Sequence, residues 1–278
     1  GRSVSLSSDG LTVAIGSPDW EDTGTIPNRF SEGKVAIYRW NGSAWTQLGS
    51  NIRGEARDNY SGYSLSLSSN GTRVAIGAYG NDGNPNNSGH VRIYDYNGSA
   101  WVQVGGDIDG EADSDGSGKS LSLSSDGSRV AIGAMNNDGN GSNSGHVRIY
   151  DYNGSAWVQV GGDIDGEAAG DQSGSSVSLS SDGSRVVIGA TGNDAGNASS
   201  DNRGHVRIYD YNGSAWVQVG ADIDGEGAGD SSGFSVSISS DGTRIAVGAP
   251  SNNDAASDAG HVRVYSLPGE VYKYTWDV

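Results

Sequence analysis

The sequence predicts an all-β protein, a five-bladed β-propeller of four-stranded antiparallel blades, and three observations carry that reading. The stretch His-Val-Arg-Ile-Tyr-Asp-Tyr-Asn-Gly-Ser-Ala-Trp-Val-Gln-Val-Gly occurs unchanged at 90–105, 146–161 and 205–220. A Ser-(Asp/Asn)-Gly turn places its glycine at Gly10, Gly71, Gly127, Gly183 and Gly242, so five copies of one unit fill the chain. Apolar residues alternate with period two, and no segment shows a helical stripe. The expected repeats are 1–53, 54–109, 110–165, 166–224 and 225–278, together one domain over 1–278.

Each repeat reads as four strands. In the third, strand A is 120–124, where serines alternate with Leu121 and Leu123, and a Ser125-Asp126-Gly127-Ser128 turn follows. Strand B is 129–133 and strand C is 146–152, separated by an Asn/Gly loop. Asn153-Gly154 is a two-residue hairpin signal, because both residues tolerate positive φ. Strand D, Trp157 to Val160, runs into the acidic linker Asp163-Ile164-Asp165-Gly166-Glu167. The small serines of strand A suit the crowded axis of a propeller, and Tyr94, Tyr96 and Trp101 suit the outer strands, where blades diverge. Residues 270–276 align with strand D, so the ring is expected to close by packing of the first blade on the last.

The chain has 278 residues, 46 of them Gly, no Cys and a net charge of −17. An acidic surface argues against nucleic acid and anionic membrane partners. It suits an extracellular or cell-surface protein. The absence of Cys excludes disulfide stapling. The chain starts in mid-pattern at Gly1-Arg2-Ser3-Val4, as a mature or excised fragment would.

Gly233-Phe234-Ser235-Val236 opening strand A, Gly248-Ala249-Pro250 closing strand B and Gly260-His261-Val262-Arg263-Val264-Tyr265 resemble the FG-GAP repeat of integrin α-chain heads and bacterial or algal extracellular propellers. The resemblance covers all five repeats. It is looser elsewhere: Ser61, Ser117, Ser173 and Ser232 replace the motif's Phe. It implies an extracellular adhesion propeller. The family's calcium site in the A–B hairpin is not inherited, since Ser-Ser-Asp-Gly is too short to wrap a cation.

Repeated acids supply the other candidates. Asp107, Asp109, Asp163, Asp165, Asp222 and Asp224 lie in the linkers after strand D and offer hard oxygen ligands of the kind calcium takes; a solvated rim of Asx turns is the competing reading. Asp82, Asp138, Asp194 and Asp254, in the loops between strands B and C, are candidate ligand-binding residues. Trp20 and Phe30, in the longer first loop with Ile26, could stack on a sugar or anchor a partner, or fold back as a plug. Glu55, Glu111, Glu167 and Glu226 recur with Arg92, Arg148, Arg207 and Arg263 and read as ion pairs between repeats. His90, His146, His205 and His261 read as turn or packing residues.

Duplicated units favour repeated contacts over a single asymmetric active site. The expected function is therefore non-catalytic: multivalent recognition of an extracellular glycan or protein, with calcium as a possible aid. A structural spacer that binds nothing small is the alternative, and a glycoside-processing enzyme the third reading.

Overall fold

A computed structural model describes residues 1–21, 30–82, 86–194 and 201–267, and the backbone of 274–276. Ile26, in the first long loop, lies outside these. Among the described residues no helix forms, and every regular element is a strand.

The first repeat comprises β1 (Ser3–Leu6), β2 (Thr12–Ser17), β3 (Lys34–Trp40), β4 (Trp45–Gln47) and β5 (Ile52–Arg53). The second comprises β6 (Ser64–Leu67), β7 (Arg73–Ala78), β8 (His90–Tyr96), β9 (Trp101–Gln103) and β10 (Ile108–Asp109). The third repeats this order as β11 (Ser120–Leu123), β12 (Arg129–Ala134), β13 (His146–Tyr152), β14 (Trp157–Gln159) and β15 (Ile164–Asp165). The fourth comprises β16 (Ser173–Leu179), β17 (Arg185–Ala190), β18 (His205–Tyr211), β19 (Trp216–Gln218) and β20 (Ile223–Asp224). The fifth holds β21 (Ser235–Ile238), β22 (Arg244–Ala249), β23 (His261–Ser266) and β24 (Tyr274–Trp276). Within each repeat the strands form an antiparallel meander, in the order β1-β2-β3-β4 for the first sheet.

Two details depart from the sequence reading. Strand D is split: β9 pairs one half of β8, through Tyr96 with Trp101, and β10 pairs the other half, through His90 with Asp109. Gly105, at φ 74°, breaks the run between the two pieces. The turn between strands C and D is a four-residue loop rather than a two-residue hairpin. Asn97 Oδ1 accepts from the amides of Ser99 and Ala100 at 3.0 and 2.9 Å, so the side chain closes the turn and only Gly98 takes positive φ. An Asx turn therefore outcompetes the two-residue form.

By its contacts the chain divides into two units, Gly1–Ile132 with Tyr150–Val158, and Gly133–Ile149 with Gln159–Val278. In the first unit, β7 alternates its side chains between two cores. Val74 and Ile76 join Ala14, Val35, Ile37 and Ile52 of the first repeat, and Ala75 joins Leu121, Leu123, Val130 and Ile132 of the third. That double burial is why strand B holds an unbroken run of small and branched apolar residues. In the second unit, Val187, Val206 and Ile208 pack on Ile245, Val247 and Tyr265.

The strand A serines tie neighbouring repeats together. Ser64 Oγ donates to the Gly118 carbonyl at 2.6 Å, and Ser66 Oγ accepts from the Leu123 amide at 3.2 Å. In the second unit Ser176 Oγ donates to Gly233 O at 2.7 Å. A Cβ on Gly77 would strike the Gly118 carbonyl, so close approach of the two backbones requires glycine there.

Candidate functional site

The acids after strand D have three separate fates. Asp115 and Asp171 are buried turn caps: Asp171 Oδ2 accepts from the Glu167 and Ala168 amides at 3.0 and 2.9 Å. Asp230 does the same for Gly227 and also accepts from buried Asn252 at 2.9 Å. Sequence reasoning missed these caps, although their constant place four residues after the glutamate was a usable signal.

Asp107, Asp163 and Asp222 are held in a second way. Their Oδ1 atoms accept from Gln103, Gln159 and Gln218 at 2.5, 2.6 and 2.6 Å. Each Oδ2 is thereby turned toward the histidine that opens strand C, at 3.7 Å for His90 and 3.9 Å for His146 and His205. The glutamate of the preceding linker reaches the same place: Glu167 Oε2 lies 3.9 Å from His205 Nδ1. Buried Arg92 and Arg207 hold the other side, at 3.2 Å from Glu55 and 3.7 Å from Glu167, and Arg263 pairs with Glu226. The expected ion pairs between repeats are therefore present at these three. The histidines are fully buried, as a packing role requires, yet they also face carboxylates. Burial pushes His90 down to about 4, with Arg92 adding to the effect, and pushes His205 down likewise. Both imidazoles are neutral at pH 7.

Asp109, Asp165 and Asp224 lie on the short strands that pair with strand C, opposite His90, His146 and His205. Asp165 lines a shallow pocket with Gly162, Asp163, Ile164, Tyr209, Ala215 and Trp216. Burial raises the proton affinity of Asp165, and the neighbouring Asp163 raises it further against the opposing pull of Arg207. Trp216 forms one wall. Its indole Nε1 donates to Val160 O at 2.9 Å, and its ring covers Gly161, where a Cβ would stand 2.9 Å from Trp216 Cδ1.

The loop acids between strands B and C mostly close their own loops. Asp82, Asp138 and Asp194 accept from the amides of Asn87, Asn143 and Asn202 at 3.2, 2.7 and 2.9 Å. Asn253 takes that role in the fifth repeat, and Asp254 instead joins Glu226 and His261. Two cations approach Trp20, with Lys34 Nζ 4.6 Å and the Arg53 guanidinium 4.8 Å from its ring centroid. Phe30 is exposed and sits 5.2 Å from the Arg57 guanidinium.

No protein-family model matches the chain, and no curated protein matches it. Solved structures do. A protein of Bacteroides uniformis provisionally named a 6-phosphogluconolactonase aligns over 100% of this chain and 71% of its own, at 12% identity and a TM-score of 0.62. A protein of Bacteroides fragilis with the same provisional name aligns over 100% and 71%, at 14% identity and a TM-score of 0.61. The likeness is one of fold, a propeller-type all-β architecture.

These neighbours correct the expectation of a non-catalytic adhesion propeller. Both carry the name of an enzyme, so this architecture gives no argument against catalysis. Duplicated repeats had carried the expectation of repeated contacts in place of an asymmetric active site. That expectation fails physically because each junction between repeats can assemble side chains from two units, and a site can recur without being asymmetric.

Proposed function

We propose that the protein is a hydrolase of a neutral sugar lactone, built on a β-propeller whose five repeats are blades. The pocket of Asp163, Asp165, Tyr209 and Trp216 carries this reading, because it joins an aromatic wall to a carboxylate of raised proton affinity. The lactone ring would stack on Trp216. Asp165 would take the proton of a water attacking the ring carbonyl and return it to the ring oxygen as the C–O bond breaks, leaving a hydroxy acid. The neighbours' name includes a phosphate on the substrate. Here the pocket-lining residues include no cation, and Arg207 is engaged with Glu167 and with Asp165 O at 2.6 Å, which favours an uncharged ring.

The blade reading is supported by the repeated antiparallel meander and by the propeller-type neighbours. Val4 and Leu6 are 68% and 58% exposed, whereas Leu65 and Leu67, at the same positions of the second repeat, are buried. A closed ring would cover Val4 and Leu6, so these two residues test whether the repeats close on themselves.

The test is hydrolysis of glucono-1,5-lactone by the full chain, followed by titration at constant pH. A rate above spontaneous hydrolysis is expected, reduced about 100-fold or more when Asp109, Asp165 and Asp224 are all changed to Asn. A rate equal to buffer, or an unchanged rate in the folded triple variant, overturns the reading.

A further inference from the structure

The junctions between repeats hold a second constellation that the lactone pocket does not use. Glu55, His90 and Asp107 meet in the first unit, and Glu167, His205 and Asp222 in the second; within each trio the candidate ligand atoms all lie within 4.8 Å of one another. We propose that these two trios are binding sites for a divalent transition-metal ion of the zinc, cobalt or manganese class.

The histidine supplies the first argument. His205 is 1% exposed, and neither of its ring nitrogens has a hydrogen-bond partner, a costly condition for a buried polar group. Its Nδ1 stands 3.9 Å from both Glu167 Oε2 and Asp222 Oδ2. That is too long for a hydrogen bond. Ligand atoms about 2.0–2.2 Å from one zinc-sized ion stand about 3.3–3.6 Å from one another at tetrahedral angles, so the two Nδ1 separations need to close by only a few tenths of an ångström.

The surroundings supply the second. Asp222 Oδ1 is held by Gln218 at 2.6 Å and Glu167 Oε1 faces Arg207 at 3.7 Å, so each carboxylate has one oxygen occupied and the other turned toward Nδ1. The first unit repeats this, with Gln103 on Asp107 Oδ1 at 2.5 Å and Arg92 at 3.2 Å from Glu55 Oε1. Partners that orient ligands in this way are the usual outer support of a metal site. Two carboxylates beside one arginine leave a net negative charge for a dication to neutralise, and the carboxylates are open enough to solvent for an ion and its waters to enter.

The first repeat supplies an internal contrast. Lys34 replaces the histidine there and Asn51 the aspartate, yet Gln47 still donates to Asn51 Oδ1 at 2.7 Å. The glutamine contact therefore survives without an acid, and the acid is present where the histidine is. An imidazole nitrogen with two carboxylates suits transition metals better than calcium, which prefers an all-oxygen shell.

The inference is independent of the lactone reading, because its test measures binding without substrate. Chelator-treated full chain is titrated with Co²⁺, read by its visible absorption and by calorimetry. Asp107→Asn and Asp222→Asn, at partly exposed side chains, are each expected to remove one equivalent of bound Co²⁺ and leave the melting temperature nearly unchanged. Gln218→Ala is expected to weaken one equivalent about 10–100-fold. His205→Gln is expected to shift the Co²⁺ spectrum as well as the stoichiometry. Absence of Co²⁺ binding, a stoichiometry untouched by both Asp variants, or displacement of Co²⁺ by equimolar Ca²⁺ would overturn the proposal.

Discussion

The indole Nε1 of Trp157 donates a hydrogen bond to the carbonyl of Val104 at 2.9 Å, tying strand D of the third repeat to the repeat before it. Trp101 and Leu48 make the same bond at 2.9 Å, as do Trp216 and Val160. Trp45, at the equivalent place in the first repeat, is 46% exposed and stacks only at a tilt on Trp40. Strand D of the second, third and fourth repeats thus carries a latch that fastens each of them to its predecessor.

Trp157→Ala is expected to cost about 3 kcal/mol in denaturant unfolding, since it removes packing on a core together with a satisfied donor. Trp45→Ala is expected to cost under about 1 kcal/mol. Equal losses for the two variants would show that the latch contributes nothing of its own.

Leu67 is buried in the core between the first two repeats, and Leu6 is 58% exposed at the same position of strand A. Leu67→Ala is expected to cost about 2–4 kcal/mol and Leu6→Ala under about 1 kcal/mol. A cost for Leu6→Ala matching that of Leu67→Ala would mean that another blade covers the first repeat in solution.

Asp241 closes the last strand A–B turn. Its Oδ1 accepts from Ser239 Oγ at 2.6 Å, from the Thr243 amide at 3.0 Å and from Thr243 Oγ1 at 2.8 Å, and these bonds hold its carboxyl down at about 2. The folded value lies below the usual aspartate value of about 3.9, so the ionised form is favoured by folding. Its stabilisation is complete above about pH 4 and disappears as the pH falls through the folded value. A carboxyl-carbon NMR titration of Asp241 is expected to give a midpoint near 2. Asp241→Asn should abolish that titration and keep the turn, because Asn70 already makes the same contacts with Ser68 Oγ, the Thr72 amide and Thr72 Oγ1 at 2.8, 3.0 and 2.8 Å. A midpoint near 4 would contradict the turn geometry.

Much of the architecture was legible in the chain. The order of strands A, B and C, the serine alternation and the tight turns follow from local periodicity and turn chemistry, which act over a few residues. The split of strand D was not legible, because Gly105 interrupts a run whose two halves both still reach β8. The acids were harder. Asp82, Asp107 and Asp171 look interchangeable as residue types, yet the first closes a loop, the second faces a buried histidine and the third caps a turn from inside.

Read alone, the chain settles how many times the unit is copied, where strands A, B and C run and which faces are apolar, since each of these depends on neighbours within one repeat. Only folding decides that Glu167, His205 and Asp222 converge. These residues are separated by most of a repeat in sequence, and their meeting depends on the register between one sheet and the next. Local pattern does not encode that register; backbone contact through positions such as Gly77 and Gly189 sets it, because only a residue without Cβ lets adjacent sheets come that close.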